Sequence, residues 1–195
     1  MPRLFNRVYS RIKDRLDNLG GCAGWLARKG LETKLEALRQ TGEFSNGCFD
    51  RLVFKNISAL LGGNVRYLLT ASAPIDPAVL ELLKVCFSCP FFEAYGMTET
   101  SGGSSMTWPN DPVVGHVGGP LPCVKWRLLD VPEMNYFHTD KPYPRGELCM
   151  KGPTLTSGYY KRPDKNAETF DSDGWIKTGD VAIIYPNGTA KIIDR

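Results

Sequence analysis

An aromatic ring beside a glycine, followed by a hydroxyl and a carboxylate, stands at Tyr95-Gly96-Met97-Thr98-Glu99-Thr100. The ring offers a stacking face, the glycine gives access to backbone, and the hydroxyl can donate to a phosphate. The carboxylate suits magnesium, which is commonly held on phosphates through one or two carboxylates. Alone, the hexapeptide is a weak signal, because Thr and Glu after a glycine also open many capped helices. Three other segments carry comparable chemistry. Gly174–Asp180 (GWIKTGD) ends in an acid just after a Thr-Gly turn. A carboxylate held there can accept two hydrogen bonds from vicinal hydroxyls, as acids do for ribose; a plain turn aspartate is the alternative. Ser72-Ala73-Pro74-Ile75 is a run of mostly small residues against whose backbone a flat ring could lie, and Lys191–Arg195 (KIIDR) is the fourth segment.

The elements that must position these residues are legible from periodicity and punctuation. Helical signals cover about 3–18 and 25–40, with Gly20, Gly21 and Gly24 expected to break the chain between them. A third helix is expected near 50–61, stopped by Gly62-Gly63, and Val65–Thr70 reads as a short buried strand. Asp76 can cap a helix over about 77–86 with Pro77 at its first position. Phe91–Ala94 begins a second strand that runs into Tyr95-Gly96. Strand, helix and strand with short links form a βαβ unit, so the two strands should be parallel neighbours. Ligands bind at the carboxyl ends of such strands, which here lead into 70–75 and 95–104. After Gly103, Gly and Pro recur, and short strands are expected at Val124–Asp130, Gly146–Lys151, Val181–Tyr185 and Thr189–Ile193. Pro186-Asn187-Gly188 is a hairpin turn between the last two. The fold class is therefore α/β: a partial parallel sheet with flanking helices over 1–111, then a small β-rich subdomain over 112–195.

Composition narrows the function classes. The 195 residues are 42% hydrophobic and 23% charged, which excludes a disordered or disulfide-scaffold chain. A net charge of +3, with no basic block, gives no case for nucleic acid. No apolar run approaches the length of a membrane-spanning helix. Of six cysteines only Cys86 and Cys89 have ligand-like spacing, and a structural zinc needs four ligands, so buried reduced thiols are expected. Arg3, Arg7, Arg11 and Arg15 imitate a transit peptide. Leu4, Val8, Ile12, Leu16 and Leu19, however, favour a helix docked on a core over a membrane-surface helix. Trp175, Tyr159 and Tyr160 read as core aromatics, and His116 and His138 as surface or satisfied residues.

The four segments, in this order, resemble the adenylate-forming superfamily of acyl-CoA synthetases, luciferases and peptide-synthetase adenylation domains. VPEMNY (131–136), GELCMKGPTLTSGYYKRP (146–163), DGWIKTGDVAIIYPNGTAKIIDR (173–195) and the opening PRLFNRVYSRIKDRLD look like its long-chain fatty acyl-CoA synthetase branch. The resemblance implies that Tyr95 stacks on adenine, with Ser72, Ala73 and Pro74 on the other side. Thr98 would bond the α-phosphate, Glu99 would hold Mg2+, and Gly96 would let the acyl carboxyl near the backbone. Asp180 would take the ribose hydroxyls and Arg195 would reach the ribose. The implied substrates are a fatty acid, ATP and coenzyme A, with AMP and pyrophosphate released. A cytosol-facing location follows, with a peripheral seat on the endoplasmic reticulum or another intracellular membrane left open, as is oligomeric state.

No Ser/Thr/Gly-rich loop with a lysine for the triphosphate is found within these residues, and Arg195 falls where a lysine-bearing C-terminal domain would begin. The sequence thus reads as a fragment that does not complete adenylation alone and that carries an open sheet edge prone to aggregation. Two alternatives stay open: an adenylating enzyme for another carboxylic acid, and a non-catalytic module binding AMP or an acyl-adenylate.

Overall fold

The computed structural model describes residues 2–71 and 73–195; Met1 and Ser72 lie outside. The chain packs as two compact units, Met1–Glu93 with Trp108–Gly115, and Ala94–Thr107 with His116–Arg195.

In the first unit α1 (Pro2–Asp17) buries Ile12 and Leu16 and packs Phe5, Val8 and Tyr9 on the same core, while the four arginines stay exposed. It is the docked helix the periodicity favours, although Leu4 remains exposed. Helix α2 (Gly21–Thr41) starts earlier than expected and carries Gly24 inside it. A Cβ at Gly24 would lie 2.0 Å from the carbonyl oxygen of Leu19. This glycine therefore serves a close backbone approach, not a break. The helix ends at Gly42, whose φ of 77° lets its N–H reach the Leu38 carbonyl at 2.9 Å.

The expected third helix is a composite that begins at 47. Helix α3 (Gly47–Phe49), a π-helical turn (Asp50–Phe54), α4 (Lys55–Ser58) and a 3-10 turn (Ala59–Leu61) follow one another to Gly62. Strand β1 is confined to Leu68–Thr70, so Val65–Tyr67 stay off the ladder. Helix α5 (Pro77–Phe87) opens as expected, with the Asp76 carboxylate accepting from the Ala78 N–H at 2.8 Å and Pro77 at its first position. Strand β2 (Phe91–Tyr95) runs parallel to β1 in the register Leu68↔Phe91 to Thr70↔Glu93. That is the predicted βαβ unit, and among the described residues the other edge of β1 pairs with nothing.

The core of this unit holds one charge that hydrophobic patterning does not announce. Lys34 on α2 is buried, and its ammonium donates to the Asp50 carboxylate, to the Val85 carbonyl and to Ser88 Oγ, with the Phe54 ring centroid 4.6 Å away. Two of these acceptors, Val85 and Ser88, sit at the end of α5, where the helix dipole favours a cation. Burial nevertheless pulls the lysine pKa below its ordinary value, opposed by Asp50.

The second unit contains the end of β2, which pairs antiparallel with β3 (Ser105–Met106), itself antiparallel to β4 (Gly119–Pro120). An antiparallel sheet follows in the order β5 (Lys125–Leu129), β6 (Arg145–Lys151), β7 (Ile176–Ile184), β8 (Ala190–Asp194). The predicted hairpin closes β7 on β8, with Gly188 at φ 82° and the Tyr185 N–H on the Thr189 carbonyl at 2.8 Å. Strand β7 begins five residues before the expected 181, and Thr178-Gly179-Asp180 lies within it instead of in a turn that precedes it. The β6–β7 register slips there: Glu147 faces Val181 while Cys149 faces Lys177. Gly179, at φ 72°, takes the left-handed conformation that this irregularity requires.

All six cysteines are free: Cys86, Cys89 and Cys149 are buried as expected, whereas Cys22, Cys48 and Cys123 are exposed. No helix among the described residues is long and apolar enough to cross a membrane.

Candidate functional site

The slip in β7 has a chemical consequence. The Thr178 hydroxyl donates to the Leu148 carbonyl at 2.7 Å and accepts from the Asp180 N–H at 3.1 Å, while Glu147 accepts from the Gly179 N–H at 2.9 Å. These bonds fix Asp180, whose Oδ2 accepts from the Tyr95 hydroxyl at 2.6 Å across 85 residues of sequence. The Arg195 guanidinium lies 3.6 Å from the other oxygen, Oδ1. Three candidates from distant segments thus meet at one carboxylate. Tyr95 packs on the small core of Val124, Leu148, Met150 and Ala182. Burial first, and then the bond to Asp180, hold its phenol above the ordinary tyrosine range.

The turn after β2 explains its own glycine. The Tyr95 carbonyl accepts from the Ser104 N–H at 2.8 Å, and the chain folds back so tightly that a Cβ on Gly96 would sit 1.6 Å from the Gly102 carbonyl oxygen. Thr98–Thr100 form one 3-10 turn in which Thr98 is exposed and Thr100 is buried. Thr100 Oγ1 accepts from the Met97 N–H at 3.0 Å, a structural use of a hydroxyl. Glu99 is half-buried, and its carboxylate accepts the hydroxyl proton of Tyr159. That bond raises the Tyr159 pKa.

Tyr159 and Tyr160 are therefore not core residues. Tyr159 is 37% exposed and Tyr160 is 85% exposed. Both tyrosines are thus misplaced by the sequence reading, and the separation of Tyr159 from Glu99 leaves no local signal. Trp175 is half-buried beneath the Arg127 guanidinium, which lies 4.6 Å from the ring centroid. His116 is buried and accepts from the Gly118 N–H at 3.0 Å, and His138 is exposed beside Asp130. Ala73 and Pro74 are exposed in the loop between β1 and α5 of the first unit; Ser72 lies outside the described residues. Among the described residues no three His, Cys, Asp or Glu side chains gather to hold a metal. A cation at this turn would lean on Glu99 and on oxygens brought by its ligand, the usual habit of magnesium.

A family model described as AMP-binding enzyme matches residues 2–160. The chain belongs to the AMP-binding enzyme family. The matches to relatives extend over all of this chain. The chain is 43% identical to Fatty acyl-CoA synthetase A of Dictyostelium discoideum and 44% identical to the peroxisomal Long chain acyl-CoA synthetase 6 of Arabidopsis thaliana. It is 42% identical to human Long-chain-fatty-acid--CoA ligase 1. It spans 29%, 28% and 27% of those three proteins' lengths. Among solved structures, the adenylation domain of a Segniliparus rugosus carboxylic acid reductase, in complex with AMP and a co-purified carboxylic acid, is 30% identical with a TM-score of 0.69. All of this chain and 26% of that reductase chain are matched.

Proposed function

We propose that this AMP-binding family chain carries the adenosine and magnesium side of the site of an ATP-dependent long-chain fatty acid–CoA ligase. The reaction joins a fatty acid to ATP as an acyl-adenylate, releases pyrophosphate, and passes the acyl group to the coenzyme A thiol with loss of AMP. The observation that carries the reading is the convergence of Tyr95 and Arg195 on Asp180. The acid choice leans on relatives named for long-chain substrates.

The side chains divide the work. The Tyr95 ring would stack on adenine while its hydroxyl orients Asp180. Both carboxylate oxygens of Asp180 would accept the ribose hydroxyls, with Arg195 beside them. Exposed Thr98 would donate to the α-phosphate; a place for Gly96 beside the acyl carboxyl rests on the motif alone, because the Gly102 carbonyl fills the position a side chain would take. Glu99 would hold magnesium, which when bound offsets charge on the phosphates. The places of Ser72, Ala73 and Pro74 beside the base rest on the motif alone. So does a division of labour between 1–111, with the adenine and magnesium residues, and 112–195. A seat against an intracellular membrane is proposed on the same footing, from the bilayer partitioning of the substrate.

A non-hydrolysable palmitoyl-adenylate analogue tests the reading. It should bind the chain more tightly than AMP does, and Asp180→Ala should weaken both by a similar factor. Indifference of both affinities to Asp180→Ala would refute the ribose assignment. Tighter binding of a short aromatic acyl analogue than of the palmitoyl one would redirect the acid choice.

A further inference from the structure

Glu99 does not stand alone at the end of its turn. Its backbone carbonyl accepts from the Thr156 N–H at 2.8 Å, and Ser101 Oγ donates to the Thr154 carbonyl at 2.8 Å. The Tyr159 hydroxyl then reaches Oε1 of the Glu99 carboxylate. Three hydrogen bonds thus tie the 3-10 turn to the segment 154–159. The tyrosine is itself fixed from α6 (Pro163–Thr169). Its N–H donates to Asn166 Oδ1 at 2.7 Å, and its carbonyl accepts from Asn166 Nδ2 at 3.4 Å. Gly158, at φ 140°, permits that approach, since a Cβ there would come within 2.9 Å of the Asn166 amide. Tyr159 is 37% exposed and lies outside the core, and its hydroxyl is held by the carboxylate.

We infer that Tyr159, anchored by Asn166, is a positioning residue that holds Oε1 of Glu99 and presents Oε2 to a divalent cation travelling with the nucleotide phosphates. This rests on the reading of Glu99 as the metal ligand proposed above. Carboxylates that ligate metals are themselves oriented by hydrogen bonds, and loss of such a partner typically costs about 10–100-fold in metal affinity. A conformationally free glutamate would have to be ordered by the cation itself, whereas one oxygen already tethered narrows the carboxylate to one approach. Asn166 acts one step further out, through the tyrosine backbone.

The test uses the 195-residue chain with Mn2+ as a paramagnetic probe, titrated by electron paramagnetic resonance in saturating ATP. Tyr159→Phe should weaken Mn2+ by about tenfold, and Asn166→Ala by less. AMP affinity without metal should be unmoved in both variants. In the Glu99→Gln background, Tyr159→Phe should add nothing. Wild-type Mn2+ affinity in Tyr159→Phe, with Glu99→Gln weakened, overturns the inference while leaving the metal assignment standing. A parallel fall in metal-free AMP affinity also overturns it, by exposing a general structural role. Unchanged Mn2+ binding in Glu99→Gln refutes the metal assignment and the inference with it.

Discussion

Two polar clusters in this chain handle charge in opposite ways. Around Lys34 the ammonium is buried and given three acceptors and an aromatic face, all from the protein. At Tyr95–Asp180 and Tyr159–Glu99, each carboxylate takes one tyrosine hydroxyl and remains partly exposed. A charge satisfied wholly by its own chain serves the fold, because burying it unpaired would cost several kcal/mol (about 3–5 on removal of one partner). A carboxylate held by one fixed hydroxyl and left partly exposed is oriented but still reachable, even at Asp180, where the Arg195 guanidinium lies 3.6 Å from the other oxygen. It can still bind something, and that difference separates the framework from the site.

Substitutions at each cluster should therefore fail in different assays. Lys34→Ala should be the most damaging to stability, at about 3–5 kcal/mol, by leaving Asp50 and the Val85 carbonyl without their cation. Urea unfolding measures this, and a loss under 1 kcal/mol would mean the cluster relaxes or hydrates. Asp180→Ala should leave the urea midpoint nearly in place yet cost about 1.5–3 kcal/mol of AMP binding, the worth of hydrogen bonds to a charged group. Gly96→Ala should cost stability as well as binding, about 1–3 kcal/mol of the former, since its Cβ meets the Gly102 carbonyl.

Burial also predicts a pH effect carried mainly by thiols of the framework. Burial pushes the Cys86 thiol up to about 12 and the Cys89 and Cys149 thiols up to about 11, from an ordinary 9.0. A folded state that keeps its thiol protons longer than the unfolded chain loses stability as pH rises above 9. Lys34 and Lys84, with their lowered pKa values, work in the opposite sense but are two groups against three thiols and Tyr95. Stability should therefore fall from pH 9 to 10, and Cys86→Ala should remove about 1 kcal/mol of that fall, because the unfolded thiol is already half ionised at pH 9. An alkaline limb as steep in Cys86→Ala as in the wild type would discount its burial. An effect of the same size, about 1 kcal/mol, is expected at Asp76→Ala from loss of the α5 cap.

Much of this molecule was legible in its sequence because the signals are local. Asp76-Pro77 announces α5, Pro186–Gly188 announces a hairpin, and short links between strand and helix dictate the parallel pair β1–β2. Asp180 and Arg195 were legible as candidates by motif, but their meeting at Tyr95 depends on the register slip at Gly179, and the sequence around it reads equally well as a turn. Gly24 was misread because a glycine that admits a neighbouring carbonyl looks the same as one that ends a helix. Lys34 and Tyr159 were missed for one shared reason. Each draws its role from partners 16 to 60 residues away, and no window of helical or strand period spans that distance.

The central claim is that Asp180 is a ribose acceptor and not a turn residue. Calorimetric titration of AMP into the wild-type chain and into Asp180→Ala addresses it directly. The account predicts measurable binding in the wild type and an affinity at least tenfold lower in the variant, the equivalent of about 1.4 kcal/mol. Equal heats and equal affinities would contradict it.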